Sequence, residues 1–488
     1  MDSFKLYIDG QFTDGAGQFS SLNPATAEPW ATIAEARREE VNRAVEAAAR
    51  TFESDSWRAT TAGARGKMLL RLADLIEKNA DRLARLETLD TGKIIRETRA
   101  QIAYVAEYYR FYAGLADKMD GATLSIDKAD METWIKREPV GVVAAIVPWN
   151  SQLFLSAVKI GPAIAAGCTL VVKAAETAPA PLLAFAELIH EAGFPPGVCN
   201  IITGFGEECG TTLTTHPLVD HIAFTGGPET ARHIIRNSAE NLASTSLELG
   251  GKSPFIVFAD ADLESAANAQ VAAIFSASGQ SCVAGSRLLV AEEIKDAFIE
   301  KLLSKVRGIA IGCPQQPETQ FGPLCTEQQK RTIEEVVNRS LEQGARLIIG
   351  HQPVDKPGFY YPPTILDCSE TPRAESVTRE LFGPVLSVLT FKDEAEAISL
   401  ANNTEYGLAA GVFTQNLTRA HRVTRRLRSG VVWLNTYRVV SPMAPFGGYG
   451  KSGFGREGGI DAALEYTTTK TVWLRTSDEP IDDPFIMR

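Results

Sequence analysis

Residues 38–52 place alanine and valine at helical spacing, with Glu39 and Glu40 in the first turn, and so predict a helix. Over 66–89 one face collects Met68, Leu69, Leu72, Leu75, Ile76 and Leu83, the pattern of a single long amphipathic helix. A third helix, 97–116, carries Tyr104, Tyr108, Tyr109, Phe111 and Tyr112, an aromatic stripe that reads as core rather than as a cofactor box. Ahead of these helices, 5–9 and 11–13 read as a hairpin around Asp9-Gly10, and Asn23-Pro24 as a turn. Apolar and polar residues then alternate over 122–127 and 132–137, as in a half-exposed β-ribbon. That ribbon stands outside the rhythm on either side and suits an arm that pairs with another subunit.

From Val140 the rhythm is strand and helix in turn: VGVVAAIV, a helix to Ala166, TLVVK, a helix over 180–191, VCNIIT, a helix, HIAFTG, a helix and SLELG. Short continuous apolar strands separated by helices predict a parallel sheet covered on both faces. A second set begins near Pro254 with FIVF, a helix over 262–279, RLLV and a helix over 293–308, and continues to Arg428. The expected architecture is α/β with two α/β domains. A last strand is expected over 470–474, then an acidic, extended tail over 476–488.

A chain of 488 residues exceeds one ordinary core, which agrees with two or more domains. Its 49 basic and 60 acidic residues give a net charge of −11, and no basic run offers itself to phosphates, so nucleic acid is not an expected partner. The seven cysteines are scattered without a CxxC pair, as suits a reducing compartment, and neither they nor the six histidines make a metal-ligand grouping. Lys5 and Asp9 fall where a signal peptide needs an apolar core, and the most apolar stretch, 153–172, is broken by Lys159, Gly161-Pro162 and Gly167. A cytoplasmic protein with no membrane span is expected.

The candidate chemistry lies at the junction of the two domains. Cys282 sits in FSASGQSCVAGSR among small residues that crowd its thiol little. Some thirty residues upstream Glu248 stands in LELGGKSP, an acid in an apolar run followed by paired glycines. A thiol nucleophile and a carboxylate base are the parts of covalent chemistry at a carbonyl. Taken alone, Cys282 also fits a buried small hydrophobe.

The motifs together resemble the NAD(P)-dependent aldehyde dehydrogenase superfamily, in its order and spacing, over nearly the whole chain. They are Pro148-Trp149-Asn150, Lys173 to Glu176, Phe224-Thr225-Gly226-Gly227, Glu248 to Lys252, Gly279 to Cys282, Glu380 to Pro384, and Pro445 to Gly448. The resemblance implies a Rossmann-like cofactor domain (1–121 and 139–250), a catalytic domain (251–447), and an oligomerisation arm with the C-terminal tail (122–138 and 466–488). It makes Cys282 the nucleophile, Asn150 with the Cys282 backbone N–H the oxyanion donors, and Glu248 the base that activates water on the thioester. Asn150 also suits an N-cap at a strand–helix turn.

For the cofactor, the resemblance implies NAD held by Ile146, Val147, Pro148, Trp149, Lys173, Glu176, Gly206, Thr225, Gly226, Gly227, Leu249, Glu380 and Phe382. The glycines from Gly204 to Gly210 spell a weak Rossmann pattern, and Glu207-Glu208 suits pyrophosphate poorly. The helix beginning near Gly227 is the family's phosphate end instead. Gly227 stands where the family often has Ser, and Ala174 where it commonly has Pro. Glu176 can accept from a ribose 2′-hydroxyl and repels a 2′-phosphate, so NAD is expected over NADP. No metal is implied. Glu457 matches an acid proposed as proton relay or second base in some members, although an acid in a glycine-rich loop is commonly just solvated.

The implied substrate tunnel is lined by Ser151, Phe154, Leu155, Val158, Ser281, Val283, Arg438, Val440 and Phe446. Ser151 replaces a frequent aromatic and widens the passage, and Arg438 suits a remote carboxylate, hence a semialdehyde. An arginine paired with an acid at a subunit contact is the competing reading. The expected partners are a small-molecule aldehyde and further copies of the chain, as a homodimer or homotetramer. A CoA-acylating semialdehyde dehydrogenase is the alternative enzyme, but such members generally lack the Glu248 counterpart. A cysteine hydrolase without redox cofactor would call for a histidine base, and none lies near either motif. A non-enzymatic member is the remaining alternative.

Overall fold

The computed structural model describes residues 1–486, so the last two residues of the expected tail lie outside the described residues. Its larger sheet has eight strands. In spatial order they are Gly453–Phe454, Ser244–Leu249, His221–Gly226, Val142–Ile146, Thr169–Ala174, Cys199–Thr203, Leu6–Ile8 and Gln11–Thr13. The five from Ser244–Leu249 to Cys199–Thr203 are parallel. The strands Val142–Ile146, Thr169–Ala174 and Cys199–Thr203 are buried along their whole length, because helices cover both faces. The chain enters this parallel set at Val142–Ile146, runs outward through Thr169–Ala174 and Cys199–Thr203, then returns to place His221–Gly226 on the other side. The carboxyl ends of Val142–Ile146 and His221–Gly226 thus flank a topological switch point, where open α/β sheets bind ligands.

The second sheet has seven strands in the order Arg346–Ile349, Thr364–Asp367, Val385–Phe391, Arg287–Ala291, Pro254–Val257, Ala409–Phe413 and Val431–Leu434. All are parallel except Arg346–Ile349. The expected α/β class, with alternating strands and helices, is what the chain adopts. The two sheets meet in opposite senses. Glu248 and Asn150 lie at or just past the carboxyl ends of first-sheet strands, whereas Cys282 and Glu380 lie just ahead of second-sheet strands. The expected ribbon is a three-stranded sheet of Ala122–Leu124, Met131–Pro139 and Thr467–Arg475.

Two local expectations need correction. The helix predicted over 66–89 is two helices, Ala62–Lys78 and Ala80–Thr91. Asn79 separates them at φ −104°, ψ 11°, and its side-chain amide donates to the Leu75 carbonyl at 2.9 Å, so a short polar side chain ends the first helix. The apolar period hides the break because Leu83 continues the face of Leu69, Leu72 and Ile76. The expected Asn23-Pro24 turn joins the antiparallel strands Gly17–Asn23 and Glu28–Glu35, which no pattern announced, with a small third strand, Asp2–Phe4, beside them. The helix predicted over 262–279 is α-helical over Leu263–Phe275 only. It is capped by Asp262, whose carboxylate accepts the Ser265 N–H at 2.7 Å. Beyond its carboxyl end, Ala277, Ser278 and Gly279 are left-handed.

Candidate active site

Ala277, Ser278 and Gly279 take φ of 51°, 53° and 75°, three left-handed residues in a row ahead of Gln280-Ser281-Cys282. Only glycine occupies this region without penalty, and each of the other two stores about 1–3 kcal/mol of strain, held by its surroundings. Those surroundings are on hand. The Glu97 carboxylate accepts the Ala277 N–H at 2.9 Å, the Ser278 hydroxyl donates to the Gly322 carbonyl at 2.9 Å, and the Gln280 side-chain oxygen accepts the Cys325 N–H at 2.8 Å. A Cβ on Gly279 would lie 2.3 Å from the Gly383 carbonyl carbon, so the loop leans against the segment that carries Glu380 and Phe382.

Cys282 ends this loop half-buried, packed into an apolar cluster with Val283, Tyr437 and Phe446. Burial, with the Glu380 and Glu248 carboxylates facing it, pushes its thiol up to about 12, and Arg438 opposes that shift. The thiol is therefore protonated at neutral pH and needs a base to release it. Asn150 lies in the single 3-10 turn Trp149–Ser151 that joins the strand Val142–Ile146 to the helix Gln152–Ala166. It makes no side-chain cap for that helix; its amide donates instead to the Gln280 carbonyl at 3.0 Å and so reaches the nucleophile loop from the other sheet.

Glu248 is only 4% exposed, and neither of its carboxylate oxygens has a hydrogen-bond partner among the described residues. Burial, then the nearby Glu457, raise its carboxyl well above the usual range, partly offset by Lys159 and Arg456. Glu457 itself is not solvated. It forms a buried ion pair with Lys159, whose ammonium also donates to the Thr225 hydroxyl at 2.7 Å. Two residues 298 positions apart in the chain thereby meet behind Glu248, and no sequence pattern announces the pair. The helix Gln152–Ala166 does carry a signal: Lys159 is a lysine in an otherwise apolar run.

The residues expected to hold a cofactor converge at the switch point. Ile146, Leu249 and Gly226 end their strands, and the Val147 N–H donates to the Lys173 carbonyl at 3.2 Å. Lys173 is buried, and its ammonium bonds the Ala174 carbonyl at 3.2 Å and the half-exposed Glu176 carboxylate at 3.3 Å. Gly227 precedes the helix Pro228–Asn241, which has no side-chain cap, and a Cβ there would meet nothing within 4 Å. Open space before uncapped helix amides fits an anionic phosphate. Gly206 opens the turn Gly206–Gly210 and likewise faces open space. Across the cleft the Gly251 N–H donates to Glu380 at 2.9 Å, and a Cβ on Gly250 would fall 1.9 Å from the other Glu380 oxygen, so the paired glycines seat that carboxylate. Phe382, at φ 50°, sets its ring edge-on to that of Trp149, the residue after Pro148, with ring centroids 5.4 Å apart.

Of the expected tunnel residues, Phe154 and Leu155 are half-buried, with Phe154 edge-on to Tyr108 at 5.0 Å, while Val158 is buried in the apolar core packed against the first sheet. The Ser151 hydroxyl accepts from the Lys93 ammonium at 2.9 Å, a contact that no sequence motif suggests. Lys93 is buried and also bonds Glu87 at 3.1 Å and Gln101 at 2.5 Å. Ser281 is partly exposed beside Cys282, and Val440 is exposed, with its carbonyl taken by the Tyr104 hydroxyl at 2.7 Å. The Tyr437 hydroxyl donates to the Val283 carbonyl at 2.9 Å and so ties the Arg438 segment to the residue after the nucleophile. Arg438, at φ 62°, donates to the Ala272 carbonyl at 3.3 Å and has no carboxylate partner among the described residues. Nor do the described residues include a group of His, Cys, Asp and Glu able to hold a metal ion.

The aldehyde dehydrogenase family model matches residues 12–472. A (Z)-2-((N-methylformamido)methylene)-5-hydroxybutyrolactone dehydrogenase of Acinetobacter baylyi is 70% identical, covering 100% of both chains. The solved NAD+ complex of an aldehyde dehydrogenase from Bacillus cereus is 40% identical, with a TM-score of 0.96 over 98% of this chain and 97% of that one. A betaine aldehyde dehydrogenase from Staphylococcus aureus, also solved with NAD+, is 39% identical with a TM-score of 0.95, over 98% and 95% of the two chains. The chain belongs to the aldehyde dehydrogenase family and is an enzyme of that type.

Proposed function

We propose that this enzyme oxidises an aldehyde to the carboxylic acid with NAD, through a thioester on Cys282 that water hydrolyses. The observation that carries the reading is the Glu248 carboxyl, buried without a hydrogen-bond partner and facing the Cys282 thiol. An unpartnered buried carboxyl costs stability and is retained where chemistry uses it. As carboxylate, Glu248 takes the thiol proton, and the sulfur adds to the aldehyde carbon. The alkoxide so formed is met by the Asn150 amide and the Cys282 backbone N–H. Its collapse expels the carbon-bound hydrogen with its electron pair and leaves the thioester. Glu248 first gives up the thiol proton, for which the Lys159–Glu457 pair behind it offers a route away; as carboxylate again it deprotonates water for attack on the thioester, from which the Cys282 sulfur leaves. Presence of this base favours water over CoA as acyl acceptor.

NAD, when bound, supplies the hydride acceptor. The uncapped start of Pro228–Asn241 would take its pyrophosphate, Lys173 and Glu176 its adenine ribose, and Glu380 with Phe382 its nicotinamide end. Glu176 opposes a 2′-phosphate, which favours NAD over NADP.

The substrate is an aldehyde with a remote acidic group. The 70% identical relative is named for a 5-hydroxybutyrolactone. A lactone of that kind is the ring-closed form of a 4-oxo acid: loss of its hydroxyl proton and cleavage of the ring C–O bond give an aldehyde and a carboxylate. The open form presents both groups this site can use, the aldehyde to Cys282 and the carboxylate to Arg438. The test is NADH absorbance with semialdehydes and uncharged aldehydes, alongside Cys282→Ala. Turnover is expected in the wild type and none in the variant, which still binds NAD. Wild-type turnover in Cys282→Ala would refute the mechanism.

A further inference from the structure

The helix Ile95–Leu115 presents Glu97, Gln101, Tyr104 and Tyr108 at helical spacing along one face. Each touches a part of the site: Glu97 the Ala277 N–H at 2.9 Å, Gln101 the Lys93 ammonium at 2.5 Å, Tyr104 the Val440 carbonyl at 2.7 Å, and Tyr108 the Phe154 ring at 5.0 Å. Among these contacts the one made by Glu97 reaches the nucleophile loop. Ala277 and Ser278 are the two residues of that loop that bear a Cβ in left-handed conformation, so the loop holds its shape only while its anchors persist. Two anchors are a hydroxyl and an amide from the loop itself, Ser278 to Gly322 and Gln280 to Cys325. Glu97 is an anchor reaching in from another element, and as a carboxylate accepting a backbone N–H it makes the stronger, charge-assisted bond.

We propose that Glu97 is a positioning residue for the nucleophile: by holding the Ala277 N–H it keeps the Ala277–Ser278–Gly279 turn left-handed and fixes where the Cys282 sulfur stands relative to the Asn150 amide. The inference rests on Cys282 being the nucleophile. Loss of the bond lets Ala277 relax toward ordinary right-handed or extended backbone, and the sulfur, five residues on, moves off the line to the carbonyl carbon. A displacement of that kind slows acylation, while Lys173, Glu176 and the start of Pro228–Asn241, expected to hold the adenine and pyrophosphate of NAD, lie on other segments.

The experiment compares the full-length holoenzyme with Glu97→Ala and Glu97→Gln. Three quantities are read: the stopped-flow burst of NADH with a semialdehyde, the rate of Cys282 alkylation by iodoacetamide located by mass spectrometry, and the KM for NAD. In Glu97→Ala, burst and alkylation rates are expected to fall by about tenfold or more with KM for NAD unchanged. Glu97→Gln keeps an acceptor oxygen for Ala277 and is expected to recover to within about threefold of the wild type. Should Glu97→Ala fail to fold, Glu97→Asp, one methylene short of Ala277, is read in the same way, with a smaller loss in the same two rates. A variant whose melting temperature falls while burst and alkylation stay at wild-type rates overturns the positioning role and leaves Cys282 as nucleophile. Wild-type enzyme that forms no adduct at Cys282 overturns the nucleophile and the role of Glu97 together.

Discussion

At the scale of the residue, the site sets groups that must be uncharged or charged at the right moment in surroundings that shift them. Burial pushes both the Cys282 thiol and the Glu248 carboxyl upward, and Glu248 adds to the shift of the thiol. Arg438 is the countervailing charge near the thiol, and it has no acid partner among the described residues. The competing reading, an arginine paired at a subunit contact, predicts no preference among substrates. Arg438→Met assayed with succinic semialdehyde and with an uncharged aldehyde of similar length separates the two. An anchoring role predicts that kcat/KM falls by about 10–100-fold for the semialdehyde alone, the worth of a charged hydrogen bond. Equal losses on both substrates would reject the anchor. Cys282, Glu248 and Asn150 stand out as candidates through short motifs that resemble those of a known family, and the structure brings the Asn150 amide to the loop that carries Cys282. Lys159–Glu457 and Lys93–Ser151 were not, since their meaning lies in side chains brought together from distant positions.

Among the elements, the parallel strands between Val142 and Val290 are legible because a parallel strand covered on both faces is a continuous apolar run, whereas the antiparallel pair Gly17–Asn23 and Glu28–Glu35 carries no such signal. Errors fell where one polar residue decides the backbone. Asn79 splits a helix that the apolar face carries straight through, and Phe275 ends another because Ala277 and Ser278 turn left-handed without glycine to signal it. Gly279, the next residue, shares that left-handed turn. Gly279→Ala would need φ 75° in a residue that resists it and would set a Cβ 2.3 Å from the Gly383 carbonyl carbon. Because Gly383 belongs to the segment that seats Glu380 and Phe382, the variant is expected to lose about tenfold or more in kcat and to raise the KM for NAD. Steady-state kinetics check this, and unchanged values in both would show that the loop and the Glu380 segment move independently.

For the molecule as a whole, two sheets of opposite polarity enclose one site, the first presenting the carboxyl ends of its strands and the second the amino ends. The ribbon sheet stands apart from both, with Trp473 exposed at 59% and Leu474 at 47%, an unusual display of apolar area. A subunit contact through this ribbon predicts a dimer or tetramer in sedimentation velocity, and Trp473→Glu is expected to shift it toward smaller species. A wild-type monomer would contradict that role.

In the proposed mechanism a base from the first sheet releases an acyl group from a thiol presented by the second. Glu248→Ala puts this to the test when mixed with NAD and a semialdehyde at a pH high enough for the thiol to react without its base, quenched in the first turnovers and weighed intact. The mechanism predicts one burst of NADH and an acyl adduct on Cys282 that persists, since deacylation lacks its base. Continued turnover with no adduct on Cys282 would contradict it.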